Sequence, residues 1–321
     1  MSVTPTTPEP IEGLATVLAP PRPTRLGSVL SFFRSNPSAL VGLAIIVFFA
    51  LIAILAPYIA PYGEHERSGT PYEPPSSAHW LGTDDVGEDM LTLMMFGAQV
   101  SLIVGFAAAL VTMLIGGAVG VIAGYFGGRT DVALMRITDY FLVIPDIPLM
   151  LVAAAIWGRS LTNIIVIIGV IYWTTTARLM RAQTASLRER VFVRRAHAIG
   201  AGNMHIIGRH ILPQVAPLLI AITVLSVAFA IFAETAIAFL GLGDPSRTSW
   251  GKLIENAFQG SAITLGAYWA IVPPGVAVAL VVLACTMIGR SLEDALNPRL
   301  RVGHLSVRQF RVLPRPPSRT P

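Results

Sequence analysis

Two carboxylates, Asp146 and Glu234, lie within long apolar stretches of this 321-residue chain. Asp146 follows Arg136 by ten residues, so a helix would place its carboxylate about 15 Å into an apolar span. A carboxylate at that depth needs a partner or water, and it is a candidate functional group by default. Two interpretations stay open. Either Asp146 faces a translocation path and favours substrates with an amino group, or it lies at a kink between Pro145 and Pro148 and accepts hydrogen bonds from freed backbone amides.

The second carboxylate, Glu234, follows Pro213 by 21 residues, which places it near the far interface of a helix that begins at Pro213. Either a structural hydrogen bond or a contact with substrate would explain it. Two aromatic residues in another apolar stretch, Tyr172 and Trp173, either line the same path or pack in the core. The candidate residues of a translocation path are Asp146, Trp173 and Glu234.

A basic segment, Arg194–Pro213, interrupts the apolar sequence. Gly200 suits a left-handed cap that ends one short helix, and Asn203 suits the N-cap of the next. Pro213 suits the first turn of the apolar helix that follows. This organisation predicts either a surface for a partner protein or an amphipathic loop that rests on lipid headgroups.

The elements that position these residues are apolar helices. Hydrophobic residues make up 54% of the chain and charged residues 13%, whereas soluble domains carry about 25% charged residues. Six apolar stretches can each cross a hydrocarbon core of about 30 Å, and they lack the alternation of barrel strands. They span residues 38–60, 100–125, 136–157, 161–177, 215–240 and 267–288. The sequence therefore predicts an all-α membrane protein with six transmembrane helices.

The distribution of charge predicts the orientation. Residues 178–210 contain seven arginines, whereas residues 61–96 contain one arginine and seven acidic residues. Because positively charged loops stay in the cytoplasm, we expect both termini there and residues 61–96 outside. The basic residues collect in loops and not in a groove-lining patch, which argues against nucleic-acid binding.

Composition also divides the chain. Residues 1–37 are rich in proline, threonine and alanine, and we expect them to be disordered. The first span, residues 38–60, is followed by an outer loop (61–96), a membrane core (97–290) and a basic tail (291–321). A cleaved signal peptide is the alternative for the first span, but the run is too long, begins late and lacks an A-x-A site.

The sequence contains no G-x-x-x-x-G-K-[ST] phosphate-binding loop, and its only lysine is Lys252. This chain therefore does not hydrolyse ATP by that route, and we expect neither enzymatic activity nor a bound cofactor. Its only cysteine, Cys285, lies in an apolar run and forms no intrachain disulfide.

The basic segment resembles the EAA loop in the permease subunits of ATP-binding cassette importers. The shared spacing is A-x-x-x-G, nine residues, then x-x-L-P. The matching positions are Ala196, Gly200, Leu212 and Pro213. Arg194 and Arg195 replace the glutamate and the first alanine of the motif. The resemblance implies a cytoplasmic coupling helix, contained in residues 178–213, that docks in a cleft of an ATPase. The residues implied in this coupling are Arg194, Arg195, Ala196, Gly200, Ala201, Gly202, Met204, His205, Leu212 and Pro213.

Five further segments resemble the dipeptide, oligopeptide and nickel permease branch of this family, in its second-permease subgroup. They read HWLGTDDVGED at 79–89, FGAQVSL at 96–102, SLRER at 186–190, ETAIAFLGLG at 234–243 and LEDALNPR at 292–299. The resemblance covers about residues 30–300. Glu88 and Gln99 stand where this branch usually carries basic residues in the outer loop.

The resemblance implies a type I importer permease fold with six transmembrane helices in the bacterial inner membrane. The implied partners, besides the lipid bilayer, are a second permease subunit, two ATPase subunits that use ATP and Mg²⁺, and an extracytoplasmic solute-binding protein. The binding protein would dock on residues 61–96, for which a purely structural loop is the alternative. Peptides are the implied substrate. Nickel or another small solute is the alternative substrate, and an ion-coupled secondary transporter is the alternative class.

Overall fold

The computed structural model describes residues 32–34 and 36–296, in two units that divide after Pro37. In the first unit, the Asn36 side chain donates a hydrogen bond of 2.8 Å to the carbonyl of Phe32. The disorder expected for most of residues 1–37 lies outside the described residues, as does the expected tail (291–321) after Leu296; residues 291–296 belong to the last helix instead.

The second unit is a bundle of helices. They are α1 (Pro37–Ile59), α2 (Met90–Phe126), α3 (Gly128–Val143), α4 (Asp146–Trp157), α5 (Leu161–Arg188), α6 (Val191–Ala198), α7 (Asn203–Ile206), α8 (Leu212–Ile237), α9 (Trp250–Gln259) and α10 (Val272–Leu296). Two π-helical turns, Ile207–Ile211 and Ala238–Leu242, flank α8, and a short 3₁₀ turn, Tyr268–Ala270, precedes α10. The predicted all-α class is confirmed.

Five of the described helices are long and apolar enough to cross a membrane. They are α1, α2, α5, the continuous run Asn203–Leu242 that contains α7 and α8, and α10 with the turn before it. The pair α3 and α4 makes a sixth if it counts as one bent span. Helix α2 begins ten residues before the expected start at residue 100, because the Asp89 carboxylate caps it by accepting a 2.8 Å hydrogen bond from the Thr92 amide.

The third expected span differs most from the sequence prediction. In place of a straight helix over residues 136–157, α3 and α4 meet at 89°. The break falls at Ile144, whose backbone is extended (φ −81°, ψ 128°) because Pro145 disfavours the helical conformation in the residue before it. Asp146 therefore begins α4 and is not buried inside a continuous helix.

Helices α2 and α5 approach each other along a row of glycines. A Cβ atom built on Gly116, Gly120 or Gly124 would lie 2.5 Å from a backbone carbonyl oxygen of α5. The three oxygens belong to Trp173, Ala177 and Arg181, so each contact repeats after four residues on both helices. Such small-residue rows allow close helix packing in membranes, and here they bring α2 against α5.

Residues 61–89 form an ordered cap over the start of α2. His79 Nδ1 lies 3.0 Å from Asp89 Oδ1, and both side chains are buried. The Trp269 indole donates a 3.1 Å hydrogen bond to the carbonyl of Thr83, which ties the cap to the start of α10. We call this end of the bundle the acidic end, and the end that carries residues 189–211 the basic end.

Candidate functional site

The basic loop has the helix–glycine–helix form expected from the sequence. Gly200 adopts a positive φ of 84°, its amide donates to the carbonyl of His197, and the Ala201 amide donates to the carbonyl of Ala196. These two hydrogen bonds, of 2.9 and 3.0 Å, form a Schellman motif that closes α6. The predicted left-handed cap is confirmed, and so is the place of Pro213 in the first turn of α8.

The N-cap predicted at Asn203 is wrong. Gly202 occupies that position, and no side chain caps α7. The Asn203 side chain instead accepts a 3.0 Å hydrogen bond from the hydroxyl of Tyr125, at the end of α2. Tyr125 also contacts His197, with 3.3 Å between its oxygen and Nε2. No local sequence signal predicts this connection, since the partners are more than 70 residues apart.

One face of the loop packs on the bundle. Val193, Ala196, Ile206 and Ile211 are buried in an apolar cluster that includes Val121 of α2. The outward side carries Ile199, 86% exposed, and Met204, 77% exposed. The remaining residues implied in coupling are exposed as well, except for the partly buried Ala201: Arg194, Arg195, Gly200, Gly202, His205, Leu212 and Pro213. The loop thus offers apolar side chains within a basic surface.

Two ion pairs that the sequence did not reveal hold α3 against α5. Arg181 binds both oxygens of the Asp131 carboxylate at 2.6 and 2.5 Å, and Arg178 donates to Asp139 at 2.6 Å. The pair of Arg181 with Asp131 is bidentate, and bidentate pairs fix the orientation of both partners. They connect the bent third span to the helix that leads into the basic loop.

A cavity of about 320 Å³ lies between α4, α5, α8 and α10. Asp146, Tyr172, Ser226, Phe229 and Glu293 are among its lining residues. The Asp146 carboxylate accepts a 2.9 Å hydrogen bond from the amide of Ile147 and is exposed in this chain. Asp146 thus lies at a break beside proline, as one interpretation predicts, and it also lines a cavity; its contact with substrate stays a prediction.

The cavity does not include the other two candidate path residues. Trp173 is buried, with its ring centroid 5.9 Å from that of Phe141 and its carbonyl against Gly116. Tyr172, its neighbour, faces the cavity instead. A contact of Trp173 with substrate therefore stays a prediction.

Glu234 is 3% exposed and belongs to a buried hydrogen-bond network. Its Oε2 accepts from the Ser101 hydroxyl at 3.4 Å, and the same hydroxyl oxygen accepts from the amide of Trp250 at 3.2 Å. The Trp250 indole donates to the carbonyl of Met94 at 3.1 Å. The network joins α2, α8 and α9, which supports a structural role for Glu234; its predicted place on the path stays a prediction.

The turn between α4 and α5 is tied to the end of α8. Arg159 donates a 2.8 Å hydrogen bond to the carbonyl of Gly241, and the Leu161 amide donates one of 2.8 Å to Asp244. Burial acts to raise the pKa of Asp244, but hydrogen bonds from Ser246 and Leu161 outweigh it and hold the pKa below its ordinary value. The charged carboxylate thus stabilises this connection at the acidic end.

The cap at the acidic end contains a buried carboxylate, Asp84. It accepts hydrogen bonds from the amides of Val86, at 3.0 Å, and Glu88, at 2.8 Å. Burial raises the pKa of Asp84 to about 6, although these amides act in the opposite direction. Within residues 32–34 and 36–296, no group of three or more histidine, cysteine or acidic side chains is placed to hold a metal ion.

Comparison with known proteins agrees with this architecture. Residues 116–302 match the family described as binding-protein-dependent transport system inner membrane component, and residues 24–75 match the N-terminal transmembrane domain of oligopeptide transport permease C. The dipeptide transport system permease protein DppC of Alkalihalophilus pseudofirmus is 40% identical over 272 residues, which cover 84% of this chain and 88% of that protein.

Two further relatives come from Bacillus subtilis. Its dipeptide permease DppC is 35% identical over 270 residues, 84% of each chain. Its oligopeptide permease OppC is 34% identical over 271 residues, 84% of this chain and 88% of that protein. The chain is therefore a member of the binding-protein-dependent transport system inner membrane component family, a multi-pass permease subunit with the type I importer fold.

Proposed function

We propose that this chain forms half of the translocation pathway of an ATP-driven peptide importer. The relatives named above are dipeptide and oligopeptide permeases, which supports peptides as the substrate. A second, similar permease would complete the pathway. A solute-binding protein would deliver the substrate at the acidic end, outside the inner membrane, and both termini would lie in the cytoplasm.

The observation that carries this proposal is the attachment of the basic loop to α2. Tyr125 joins the end of α2 to both halves of the loop, through His197 and Asn203. The buried face of the loop packs on the same helix. Because α2 also lies against α5 along the glycine row, a displacement of the loop reaches the helices that line the cavity.

The exposed side of the loop supports an ATPase as the partner. Ile199 and Met204 project from a surface that also carries Arg194 and Arg195. An apolar centre with a charged rim is the usual composition of a protein–protein contact. Each of the two ATPase subunits would bind ATP and Mg²⁺ and would engage one permease at this loop.

The mechanism follows from two packed states. ATP binding would close the ATPase pair and move both coupling loops, and the permease helices would shift between inward-open and outward-open arrangements. Asp146 would contact the substrate from its position on the cavity wall, whereas Trp173 and Glu234 would hold the helices around the path. This chain itself would supply half of the path and the coupling loop, and it would not hydrolyse ATP.

Vesicles that contain the complete importer test the proposal. We expect uptake of radiolabelled dialanine to require ATP, the binding protein and this chain, and to persist when ionophores collapse all ion gradients. A non-hydrolysable ATP analogue is the control, and it should not sustain uptake. Uptake that follows an ion gradient without ATP, or transport of Ni²⁺ in place of the peptide, would contradict the proposal.

A further inference from the structure

Two carboxylates, Asp146 and Glu293, line the cavity between α4, α5, α8 and α10 at different depths. Asp146 begins α4, eleven residues before its end at Trp157, so it lies about 17 Å from the acidic end. Tyr172 lies at the same depth, eleven residues after Leu161. Glu293 follows Val272 by 21 residues, or about 32 Å, which places it at the basic end. The cavity thus extends from about the middle of the membrane to its basic side.

Neither carboxylate is neutralised by a basic side chain of the described part of the chain. Asp146 and Glu293 take part in no ion pair there, and no lysine or arginine lines the cavity. Two arginines of α5 are occupied on α3, where Arg178 binds Asp139 and Arg181 binds Asp131, and the third, Arg188, pairs with Glu189. An unpaired carboxylate at membrane depth is costly, and a cation that enters the cavity offsets that cost.

The walls of the cavity accept hydrogen bonds and present aromatic faces. The rings of Tyr172 and Phe229 lie 6.3 Å apart at an angle of 59°. An ammonium group is attracted to such faces. The Ser226 hydroxyl donates its proton to the carbonyl of Ile222, at 3.0 Å, so its oxygen faces the cavity as an acceptor. These groups suit a ligand that donates hydrogen bonds and carries positive charge.

We propose that this cavity is a transit site for substrates with a protonated amino group, which is held at Asp146 beside the rings of Tyr172 and Phe229. Glu293 attracts the same group toward the basic side. The volume of about 320 Å³ lies at the small end of ligand pockets, and it suits a short peptide with a free N-terminus. The peptide rests on the proposed function; the preference for an ammonium group rests on the cavity alone.

A thiol-protection experiment tests the site without transport. The only cysteine of the chain, Cys285, is buried, so Ser226→Cys introduces one accessible thiol on the cavity wall. Membranes that contain the complete importer are treated with a maleimide in the presence of alaninamide, which carries an α-ammonium group, or of its neutral analogue N-acetylalaninamide. We expect alaninamide to protect the thiol at concentrations about tenfold lower than the neutral analogue, a difference of about 1.4 kcal/mol.

Matched variants identify the carboxylate that is responsible for the protection by alaninamide. Asp146→Asn should raise the half-protecting concentration of alaninamide about tenfold, and Asp146→Glu should restore most of the protection. Glu64→Gln, at the acidic end and outside the cavity, is the control. Glu293→Gln should also weaken protection, whereas Asp294→Asn, its exposed neighbour that does not line the cavity, should not.

Equal protection by both probes would overturn the proposal, and so would unchanged protection in Asp146→Asn. Loss of the partner permease from purified Asp146→Asn importer would overturn it as well, because the carboxylate would then belong to a subunit contact. Peptide uptake by the unsubstituted importer is measured separately. If that uptake fails while alaninamide still protects the thiol, the proposed function is wrong and the ammonium site stands.

Discussion

The Tyr125 hydroxyl donates a hydrogen bond of 3.0 Å to the Asn203 side chain and so joins the end of α2 to the second half of the basic loop. The ring of the same tyrosine stacks on His197, at 6.3 Å, in the first half. The Tyr125 side chain therefore contacts the loop on both sides of Gly200. Movement of either half of the loop must displace α2 or break this contact.

Tyr125→Phe tests whether the contact transmits movement. We expect the variant to insert normally, because the ring and its packing remain. The lost hydrogen bond, about 1 kcal/mol, should lower peptide uptake per ATP hydrolysed about fivefold. Uptake and ATP hydrolysis are measured in the same vesicles. Tyr268→Phe, at an exposed position of the acidic end, is the control, and an equal effect there would contradict the proposed route.

The hinge itself can be tested with Gly200→Val. Space is available, since a Cβ atom at Gly200 would meet no atom within 4 Å, but its φ of 84° is unfavourable for a β-branched residue. We expect a cost of about 1–2 kcal/mol, opening of the Schellman motif and ATP hydrolysis without uptake. Gly208→Val is the matched control, because Gly208 also has open space and lacks a positive φ. Normal coupled uptake by Gly200→Val would refute the role of this loop.

The glycine row predicts a stability effect at a different place. In Gly120→Ala the added carbon would lie 2.5 Å from the carbonyl oxygen of Ala177, so α2 and α5 must separate. We expect a loss of about 1–3 kcal/mol, read as a lower midpoint of thermal unfolding in detergent. Gly275→Ala, where no atom lies within 4 Å, should change the midpoint little. A similar midpoint for both variants would argue against close packing along the row.

The cap at the acidic end should depend on pH through Asp84. Its pKa is raised to about 6 in the folded protein by burial, above the ordinary value near 3.8. The folded state therefore binds the proton more tightly than the unfolded state. The contribution of Asp84 to the stability of the cap is therefore largest below about pH 4, falls as pH rises toward 6, and changes little above that. The full span corresponds to about 3 kcal/mol.

Limited proteolysis of residues 61–89 at several pH values checks this behaviour. In the unsubstituted chain, cleavage should increase between about pH 4 and pH 6. Asp84→Asn keeps an oxygen that can accept from the Val86 and Glu88 amides, so the cap should form and its pH dependence should flatten. Glu64→Gln is the control, and a flattened profile there as well would remove Asp84 as the cause.

Local sequence signals predicted the loop well. Two of these signals depend on only a few neighbouring residues: a glycine that ends one helix and a proline that begins the next. Gly200 and Pro213 have the positions that these signals predict. Asn203 failed as a cap because a tertiary contact with Tyr125 uses its side-chain oxygen. The preference of asparagine for the N-cap position is a local signal, and it does not reveal a hydrogen-bond donor on another helix that competes for the side chain.

The third span shows a second limit of sequence reasoning. Apolar residues flank Pro145 on both sides, so a hydropathy pattern cannot distinguish a straight helix from two that meet at 89°. The bidentate pair of Arg181 with Asp131 was not predicted either, because residues 50 positions apart in sequence come into contact only when α3 packs against α5. The family resemblance correctly predicted the architecture but not these contacts.

The two ends of helix α4 are held differently. Its C-terminal side is attached to the exit of α8, through the hydrogen bonds of Arg159 and Leu161, whereas Asp146 stands at the opposite end beside the break. The helix is about 18 Å long, so a tilt of about 10° around the tied end moves the Asp146 carboxylate by about 3 Å. That distance separates a hydrogen bond from no contact at all. In the proposed transit site, a small rotation of α4 at one face of the membrane would therefore decide whether Asp146 can hold an amine.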